Sequence, residues 1–161
     1  MAESIAYSKT TDRAMVYREI GPQIAALIDG ETDLTANLAN VAAVLKEAFG
    51  FFWVGFYLAK DGVLVLGPFQ GPVACTRIAF DVGVCGYAFS RRQTEIVPNV
   101  DEFPGHIACS SASKSEIVVP LFDTGGKIRG VLDVDSDRLD DFGPDDRDGL
   151  EAVAALLSNK F

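Results

Sequence analysis

The sequence predicts an α+β fold in which a central antiparallel sheet is flanked by helices. Two segments with helical spacing of apolar residues open the chain, two hairpin patterns with turn signals follow, and a further helical pattern closes it. Hairpins join antiparallel strands, and a helix that is apolar along one side must bury that side against another element. We therefore expect the helices to pack on one side of the sheet.

The N-terminal helices are expected over about residues 13–49. Apolar residues recur at helical spacing from the start of this segment, and the pair Gly21 and Pro22 is expected to break or kink the first helix. Either Thr32 or Asp33 can cap a second helix, which Gly50 would end. The apolar positions of the second helix are Leu34, Leu38, Val41, Val44, Leu45 and Phe49.

The segment from about 51 to 136 is expected to hold the sheet and the loops of the site. Residues 51–58 are aromatic and β-branched, Asp61-Gly62 is a strong turn signal, and residues 63–66 are expected to pair back as a second strand. Residues 67–72, with the sequence GPFQGP, are expected to form a loop because of their glycines and prolines.

The middle of the chain is less regular. The pattern predicts a short strand at 73–79 that contains the first cysteine, a short helix at 83–90 that contains the second, and a short strand at 94–97. A polar loop follows, and it includes GHIACSSASKSE at residues 105–116. Small polar residues dominate this stretch, which argues against a core element there.

A second hairpin and a last helix complete the chain. Residues 117–122 and 128–134 are predicted strands joined by a glycine-containing turn. The last helix is expected over about 144–160, because Pro144 suits a first helical turn and acids follow it. A chain of this length fits a single domain, which we assign to residues 1–161.

Composition and charge exclude several classes of function. The chain has 161 residues, 48% of them apolar and 23% charged, with a formal net charge of −9. An acidic surface repels phosphate backbones, so we expect no nucleic acid partner. The N-terminus has no basic start followed by an apolar run, and the most apolar stretch, Phe51 to Ala59, is about half of a membrane span. We therefore expect a cytoplasmic protein with no membrane partner.

The cysteines Cys75, Cys85 and Cys109 are an odd number at wide spacings, which argues against the disulfide framework of a secreted protein. In a reducing compartment, such residues are buried and inert, bound to metal, or catalytic. Four serines lie close after Cys109, between residues 110 and 115, and favour a functional thiol over a core cysteine. His106 is three residues away and could lower the pKa of that thiol, although a lone histidine is more often structural.

A zinc site built from His106 and the three cysteines is a further alternative. Zinc ligands usually come in two close pairs, and here only His106 and Cys109 are close in sequence. The acidic string at residues 133–137 begins like a calcium loop, but Arg138 and Pro144 stand where that loop needs glycine and glutamate. We therefore expect no bound metal.

Asp133 and Asp135 are two residues apart on a predicted strand, so both side chains face the same side of the sheet. Alternating acids usually form a solvated face, but this strand is otherwise apolar and should be central. Glu116 begins the paired strand, and three acids together could bind an amino group or share a proton. Trp53 and Tyr57 also share one face, either as core residues or as a wall for a small apolar group.

Six motifs together resemble the free methionine-(R)-sulfoxide reductases, which are enzymes made of a single GAF domain. They occur in the order of that family and at similar spacing, and the resemblance covers nearly the whole chain. The motifs are FFWVGFYL (51–58), GPFQGPVACTRI (67–78), GVCG (83–86), GHIAC (105–109), SEIVVPL (115–121) and GVLDVDS (130–136). The three cysteines make the resemblance specific, because a GAF sensor domain does not need all of them.

The resemblance implies a GAF-like fold and a role for each candidate residue. Cys109 matches the cysteine that attacks the sulfoxide sulfur, and Cys75 matches the resolving cysteine that forms a disulfide with it. Cys85 matches a third cysteine, which either pairs or assists in recycling. The remaining matches line the substrate pocket, and they are the acids Glu116, Asp133 and Asp135 and the aromatic residues Trp53 and Tyr57.

The activity implied by the resemblance is thiol-dependent reduction of free L-methionine-(R)-sulfoxide to L-methionine. The reaction would pass through a cysteine sulfenic acid and an intramolecular disulfide, which thioredoxin would reduce. Thioredoxin is thus the expected external reductant, and no bound cofactor is expected. The N-terminal helices could serve a homodimer, as the resemblance suggests. The alternative function is a GAF module that senses a small molecule without catalysis.

Overall fold

In the computed structural model, which describes residues 4–161, four α-helices and six strands form the chain. The helices are α1 (Arg13–Ile28), α2 (Leu34–Phe49), α3 (Gly83–Arg91) and α4 (Pro144–Leu156). The strands are β1 (Trp53–Lys60), β2 (Val63–Gln70), β3 (Arg77–Ala79), β4 (Glu95–Val97), β5 (Ser115–Phe122) and β6 (Ile128–Ser136). Short 3₁₀ helices cover Val100–Glu102 and Ser158–Lys160. The predicted α+β class is confirmed.

The strands form one antiparallel sheet in the order β3-β2-β1-β6-β5-β4. The two predicted hairpins, β1-β2 and β5-β6, lie side by side because β1 also pairs with β6. Both central strands are therefore hydrogen-bonded on either side, and most of their residues are buried. A side chain on β1 or β6 is consequently held by a backbone that has little freedom to move.

Helices cover both faces of the sheet, so the expectation that they pack on one side is wrong. One core joins α1, α2 and α4 to a sheet face that includes Phe56 and Leu132. A second core joins α3 to the opposite face, where Val118 and Val131 lie. The physical reason is that β5 and β6 carry apolar residues on both faces, and the apolar residues of each face need a cover. The second core is the one that borders the candidate site.

Helix α1 runs without a break through Gly21 and Pro22, contrary to the predicted break. Proline inside a helix removes one backbone hydrogen bond and disfavours the helical conformation. Here Ile20 and Ile24, on either side of the pair, are fully buried in the first core. Burial of this apolar stripe outweighs the local cost, since tertiary packing supplies most of the stability of a helix.

Two further boundaries differ from those predicted. Strand β2 continues to Gln70, so residues 67–70 belong to the sheet and pair with β1 instead of forming a loop. Strand β3 pairs only with residues 63–65, which leaves Pro68 on a free edge where proline is tolerated. The strand predicted at 73–79 shrinks to Arg77–Ala79, and Cys75 lies in the connection before it.

Arg13 ties the first helix to the C-terminal part of the fold. Its guanidinium group lies 3.1 Å from Oδ1 of Asp141 and 3.0 Å from Oδ2 of Asp146, and it also donates to the backbone carbonyl of Asp141. Asp141 in turn accepts a hydrogen bond from Ser136, the last residue of β6. Helix α1 thus helps to fix the end of a central strand. Among residues 4–161, the helices are too short or too polar to span a membrane.

Candidate active site

Three predicted site residues lie in one row across neighbouring strands. Asp135 on β6 is directly opposite Trp53 on β1 and directly opposite Glu116 on β5. Residues in such a row project from the same face of the sheet. Asp133, two residues earlier on β6, projects from this face as well, so the predicted pairing of the two aspartates on one side is confirmed.

Cys85 reaches this row from the first turn of α3. Its Sγ atom lies 3.9 Å from Oε1 of Glu116, and its side chain is buried. The helix can come close because Gly86 has no side chain: a Cβ atom there would lie 2.6 Å from the carbonyl oxygen of Ala79. Gly86 therefore lets α3 bring its cysteine against the acids.

Cys75 and Cys109 form a disulfide, with Cα atoms 5.2 Å apart. The structure thus contains the bond that the family resemblance implies. Both residues are half-buried and lie in connections outside the regular elements. Cys75 and Cys109 are therefore not available as ligands for the four-residue zinc site considered from the sequence. Cys85 is the one free cysteine in the part of the chain that the structure describes, which includes all three.

The rings of Trp53 and Tyr57 stack with their centroids 6.0 Å apart, and both side chains are buried. Each ring also holds the connection that carries Cys75. The indole nitrogen of Trp53 donates to the carbonyl of Pro72 at 3.0 Å, and the Tyr57 hydroxyl donates to the carbonyl of Cys75 at 2.9 Å. The aromatic pair therefore combines two roles, as a wall of the site and as a support for the disulfide.

These side chains enclose a pocket with an empty volume of about 540 Å³ including its open mouth. Seven of the eight predicted site residues line it, and the eighth, Cys75, is bonded to one of them, Cys109, through the disulfide. The rest of the lining is mostly apolar and includes Val73, which is 87% exposed, while His106, Ser110 and Ser113 add polar groups. Pockets of this kind, apolar with a few converging polar groups, are typical of small-molecule sites.

The acids of the pocket hold protons more tightly than free carboxyl groups do. Burial, followed by the neighbouring carboxyls Asp133 and Asp135, raises the pKa of Glu116. Burial raises the pKa of Asp133 to about 6, and burial together with Asp133 raises the pKa of Asp135. Burial and the same acids also raise the pKa of the Cys85 thiol. Such shifts are typical of sites that transfer protons.

His106 lies in this site, although the sequence favoured a structural role for it. Its Nε2 atom is 4.0 Å from Oε2 of Glu116, and burial lowers the pKa of the ring. A neutral imidazole beside a protonated acid can pass a proton without forming an ion pair. Ser113, which the sequence did not single out, also lines the pocket beside Asp135. The one available signal for both residues was their position in the polar loop that carries Cys109.

Comparisons with known proteins agree with this arrangement. The profile of the GAF domain family matches residues 33–161. The chain is 55% identical to GAF domain-containing protein A of Dictyostelium discoideum, over 99% of this chain and 100% of that one. It is 46% identical to the free methionine-R-sulfoxide reductase of Escherichia coli, over 88% of this chain and 86% of that one.

A solved structure extends the comparison to three dimensions. The free methionine-R-sulfoxide reductase of Neisseria meningitidis, determined in complex with its substrate, superposes with a TM-score of 0.95. The two chains are 53% identical, and the match covers 99% of this chain and 96% of that one. Fold, site and relatives agree, and the chain belongs to the free methionine-R-sulfoxide reductase family of GAF-domain proteins.

Proposed function

We propose that this protein reduces free L-methionine-(R)-sulfoxide to L-methionine with Cys109 as the nucleophile. The observation that carries the proposal is the Cys75–Cys109 disulfide at a pocket lined by buried acids and stacked aromatic rings. A disulfide between two such cysteines is the expected product of a thiol-based reduction. Relatives that are named for this activity support the choice of substrate.

The pocket suits a free amino acid better than a residue within a peptide. Asp133 and Asp135 offer carboxyl oxygens to the substrate ammonium group, and the described residues place no lysine or arginine within ion-pair distance of them. Val82 gives the first turn of α3 no side-chain cap, so backbone N–H groups there could hold the substrate carboxylate. The indole ring of Trp53 would then contact the methyl group at the sulfur.

Glu116 is assigned as the acid that donates to the sulfoxide oxygen. A sulfoxide has no good leaving group, so attack on its sulfur needs the oxygen to be hydrogen-bonded or protonated. Burial and the neighbouring aspartates raise the pKa of Glu116, which favours the protonated form of this carboxyl. A neutral carboxylic acid in an apolar site is a suitable donor for that purpose.

The bond changes follow from these assignments. The thiolate of Cys109 attacks the substrate sulfur while Glu116 gives its proton to the oxygen. The oxygen then moves to the cysteine sulfur and the transient bond between the two sulfurs breaks, which leaves methionine and a Cys109 sulfenic acid. The thiol of Cys75 then attacks the Cys109 sulfur, and the oxygen leaves as water when the disulfide forms. One sulfoxide and two thiols are thereby converted into one thioether, one disulfide and one water.

An external dithiol must then reduce the disulfide, and we assign this step to thioredoxin. Cys75 and Cys109 are half-buried, so a reductant can reach them from the mouth of the pocket. Catalysis by thiols and carboxyls needs no bound cofactor. A homodimer formed through the N-terminal helices stays a prediction, which sedimentation of the purified protein would test.

A coupled assay tests the proposed reaction. The protein is combined with thioredoxin, thioredoxin reductase, NADPH and each free sulfoxide epimer in turn. We expect NADPH consumption with the R epimer, little with the S epimer, and near-complete loss of turnover in Cys109→Ser. Full turnover in that variant would show that the nucleophile is assigned wrongly, and no turnover of either epimer by the wild type would disprove the function.

A further inference from the structure

Three buried side chains at the base of the pocket bring metal-binding atoms together. The thiol of Cys85 and one carboxyl oxygen each from Glu116 and Asp133 all lie within 4.8 Å of one another. The proposed reaction uses Glu116 as an acid, but it gives the thiol of Cys85 no bond to make or break. A thiol held between two carboxyls is therefore a feature that the reaction does not explain.

One atom of this cluster has an unsatisfied hydrogen-bonding requirement. Oδ1 of Asp133 is buried and has no hydrogen-bond partner, and the residue as a whole is only 6% exposed. A buried oxygen without a partner is costly, and a native structure normally gives it a proton, a water or an ion. The unpartnered oxygen can thus accept a cation from the pocket, either the substrate ammonium group of the proposed reaction or, when the substrate is absent, a metal ion.

The charge of the cluster favours a cation. In the range 4–161, the residue nearest to these acids that could carry a positive charge is His106, at 4.0 Å from Glu116. No lysine or arginine forms an ion pair with these three side chains in the described part of the chain. Two carboxyls and a thiol without a fixed counter-ion can be neutralised either by protons or by a metal ion.

We propose that Cys85, Glu116 and Asp133 form a binding site for a thiophilic divalent cation such as Zn²⁺, which blocks the pocket when it is bound. A tetrahedral zinc ion with one sulfur and two oxygen ligands needs ligand atoms about 3.4–3.6 Å apart. The observed cluster reaches that geometry through shifts of about 1 Å. The fourth position faces the pocket and would hold a water.

The metal ion displaces protons from its three ligands when it binds. The metal takes the thiolate of Cys85 and the carboxylates of Glu116 and Asp133, and their protons go to solvent. Occupancy therefore increases with pH. Mg²⁺ should not compete, because it prefers six oxygen ligands and does not select thiolate.

In the oxidised protein, the other two cysteines cannot bind the metal. Because Cys75 and Cys109 are joined, Cys85 supplies the one thiol of the oxidised chain. Any metal–sulfur bond seen in that form must therefore involve Cys85. Binding does not depend on turnover, so it can be measured whether or not the reductase assignment holds.

Zinc titration of the oxidised protein against a chromophoric chelator tests the proposal. We expect one Zn²⁺ per chain, at least a tenfold loss of affinity in Cys85→Ser and in Asp133→Asn, and no loss in Asp137→Asn, which removes an exposed acid from the same segment. Co²⁺ in place of Zn²⁺ should give a thiolate-to-metal charge-transfer band that Cys85→Ser lacks. Mg²⁺ in excess should not displace the zinc.

Two results would overturn the metal site. One is the absence of a stoichiometric zinc or cobalt complex in the oxidised wild type, and the other is equal zinc affinity in Cys85→Ser and the wild type. If Cys85→Ser fails to fold, the charge-transfer band of the cobalt-bound wild type still tests whether a thiolate binds the metal. Free methionine sulfoxide should weaken zinc binding by competition. If Cys85→Ser weakens zinc binding but methionine sulfoxide does not, the metal site is supported and the proposed substrate site is wrong.

Discussion

Glu116 and Asp135 lie directly opposite each other on the antiparallel strands β5 and β6. The register of the hairpin, and not the conformation of a loop, therefore sets the distance between the proposed acid and an acid that would bind the substrate ammonium. Side chains fixed in this way keep their positions whether the pocket is full or empty. The proposed substrate and the proposed metal would both meet a preorganised set of carboxyls.

Replacement of Glu116 by glutamine tests the proposed acid. The amide keeps the size of the side chain but cannot transfer a proton, so we expect kcat to fall by about 10²–10⁴. Burial and the neighbouring aspartates raise the pKa of Glu116, so the wild-type rate should fall on the alkaline side as this proton is lost. The variant should lack that alkaline decrease.

The exposed residue Glu102 provides the matched control for this variant. Glu102→Gln removes a carboxyl from the surface and should leave both kcat and the pH profile as in the wild type. A kcat for Glu116→Gln within about twofold of the wild type would contradict the assignment.

Replacement of Asp133 by asparagine should stabilise the empty protein at high pH. Burial raises the pKa of Asp133 from 3.8 to about 6 in the folded state. The contribution of Asp133 to stability is therefore greatest below the unfolded-state pKa and is lost as the pH rises through 6, because the buried group becomes charged. We expect a gain in the free energy of unfolding on the order of 1–3 kcal/mol at pH 8 and little gain at pH 4.

Urea denaturation of both proteins at the two pH values measures this difference. The same substitution should weaken substrate binding, since it removes a carboxylate from the ammonium site. A loss of stability in Asp133→Asn at pH 8, relative to the wild type, would show that the charged carboxyl has a stabilising partner.

Replacement of Tyr57 by phenylalanine removes the hydrogen bond to the carbonyl of Cys75. A hydrogen bond of this kind contributes about 1 kcal/mol, so disulfide formation should slow by roughly 3- to 10-fold while the first step changes less. Rapid quenching, with methionine and free thiols counted separately, distinguishes the two steps. Tyr7→Phe is the matched control, because the Tyr7 hydroxyl donates to the carbonyl of Glu47, far from the pocket.

Equal rates of disulfide formation in Tyr57→Phe and the wild type would contradict the role of Tyr57 as a support for the Cys75 connection. A decrease of similar size in Tyr7→Phe would show that the effect is not specific to this site.

Replacement of Gly71 by alanine should disturb the same connection from its other end. Gly71 has φ +143°, and a Cβ atom there would lie 2.6 Å from Cδ1 of Trp53. We expect a loss of stability of about 1–3 kcal/mol together with slower disulfide formation. Gly125→Ala, in a turn where the nearest atom is the carboxyl oxygen of Asp123 at 3.4 Å, should change stability by less than about 0.5 kcal/mol. Similar losses in both variants would contradict the special role of Gly71.

Periodicity in the sequence predicted much of the site. Because side chains alternate along a strand, the spacing of Asp133 and Asp135 was sufficient to place them on one face, and the same argument paired Trp53 with Tyr57. The two hairpins followed from their turn signals. These predictions needed only local information, and the structure agrees with them.

What the sequence could not predict depended on contacts between distant segments. Helix α3 covers the face opposite the other helices because apolar residues on both faces of β5 and β6 need a cover, and no local pattern states which helix takes which face. The continuation of β2 past Pro68 depends on where β3 stops pairing. The sequence favoured a structural role for His106, and only the folded loop brings it to Glu116.

The ion pairs and the hydrogen bond of Arg13 matter for the design of shorter fragments of this protein. The family match begins at residue 33, which would suggest that a fragment from there onward is self-sufficient. Such a fragment would lack α1, leave the buried Asp146 without its cation, and expose the apolar faces of α2 and α4 to water. A boundary drawn from sequence similarity alone would therefore yield a protein prone to aggregate.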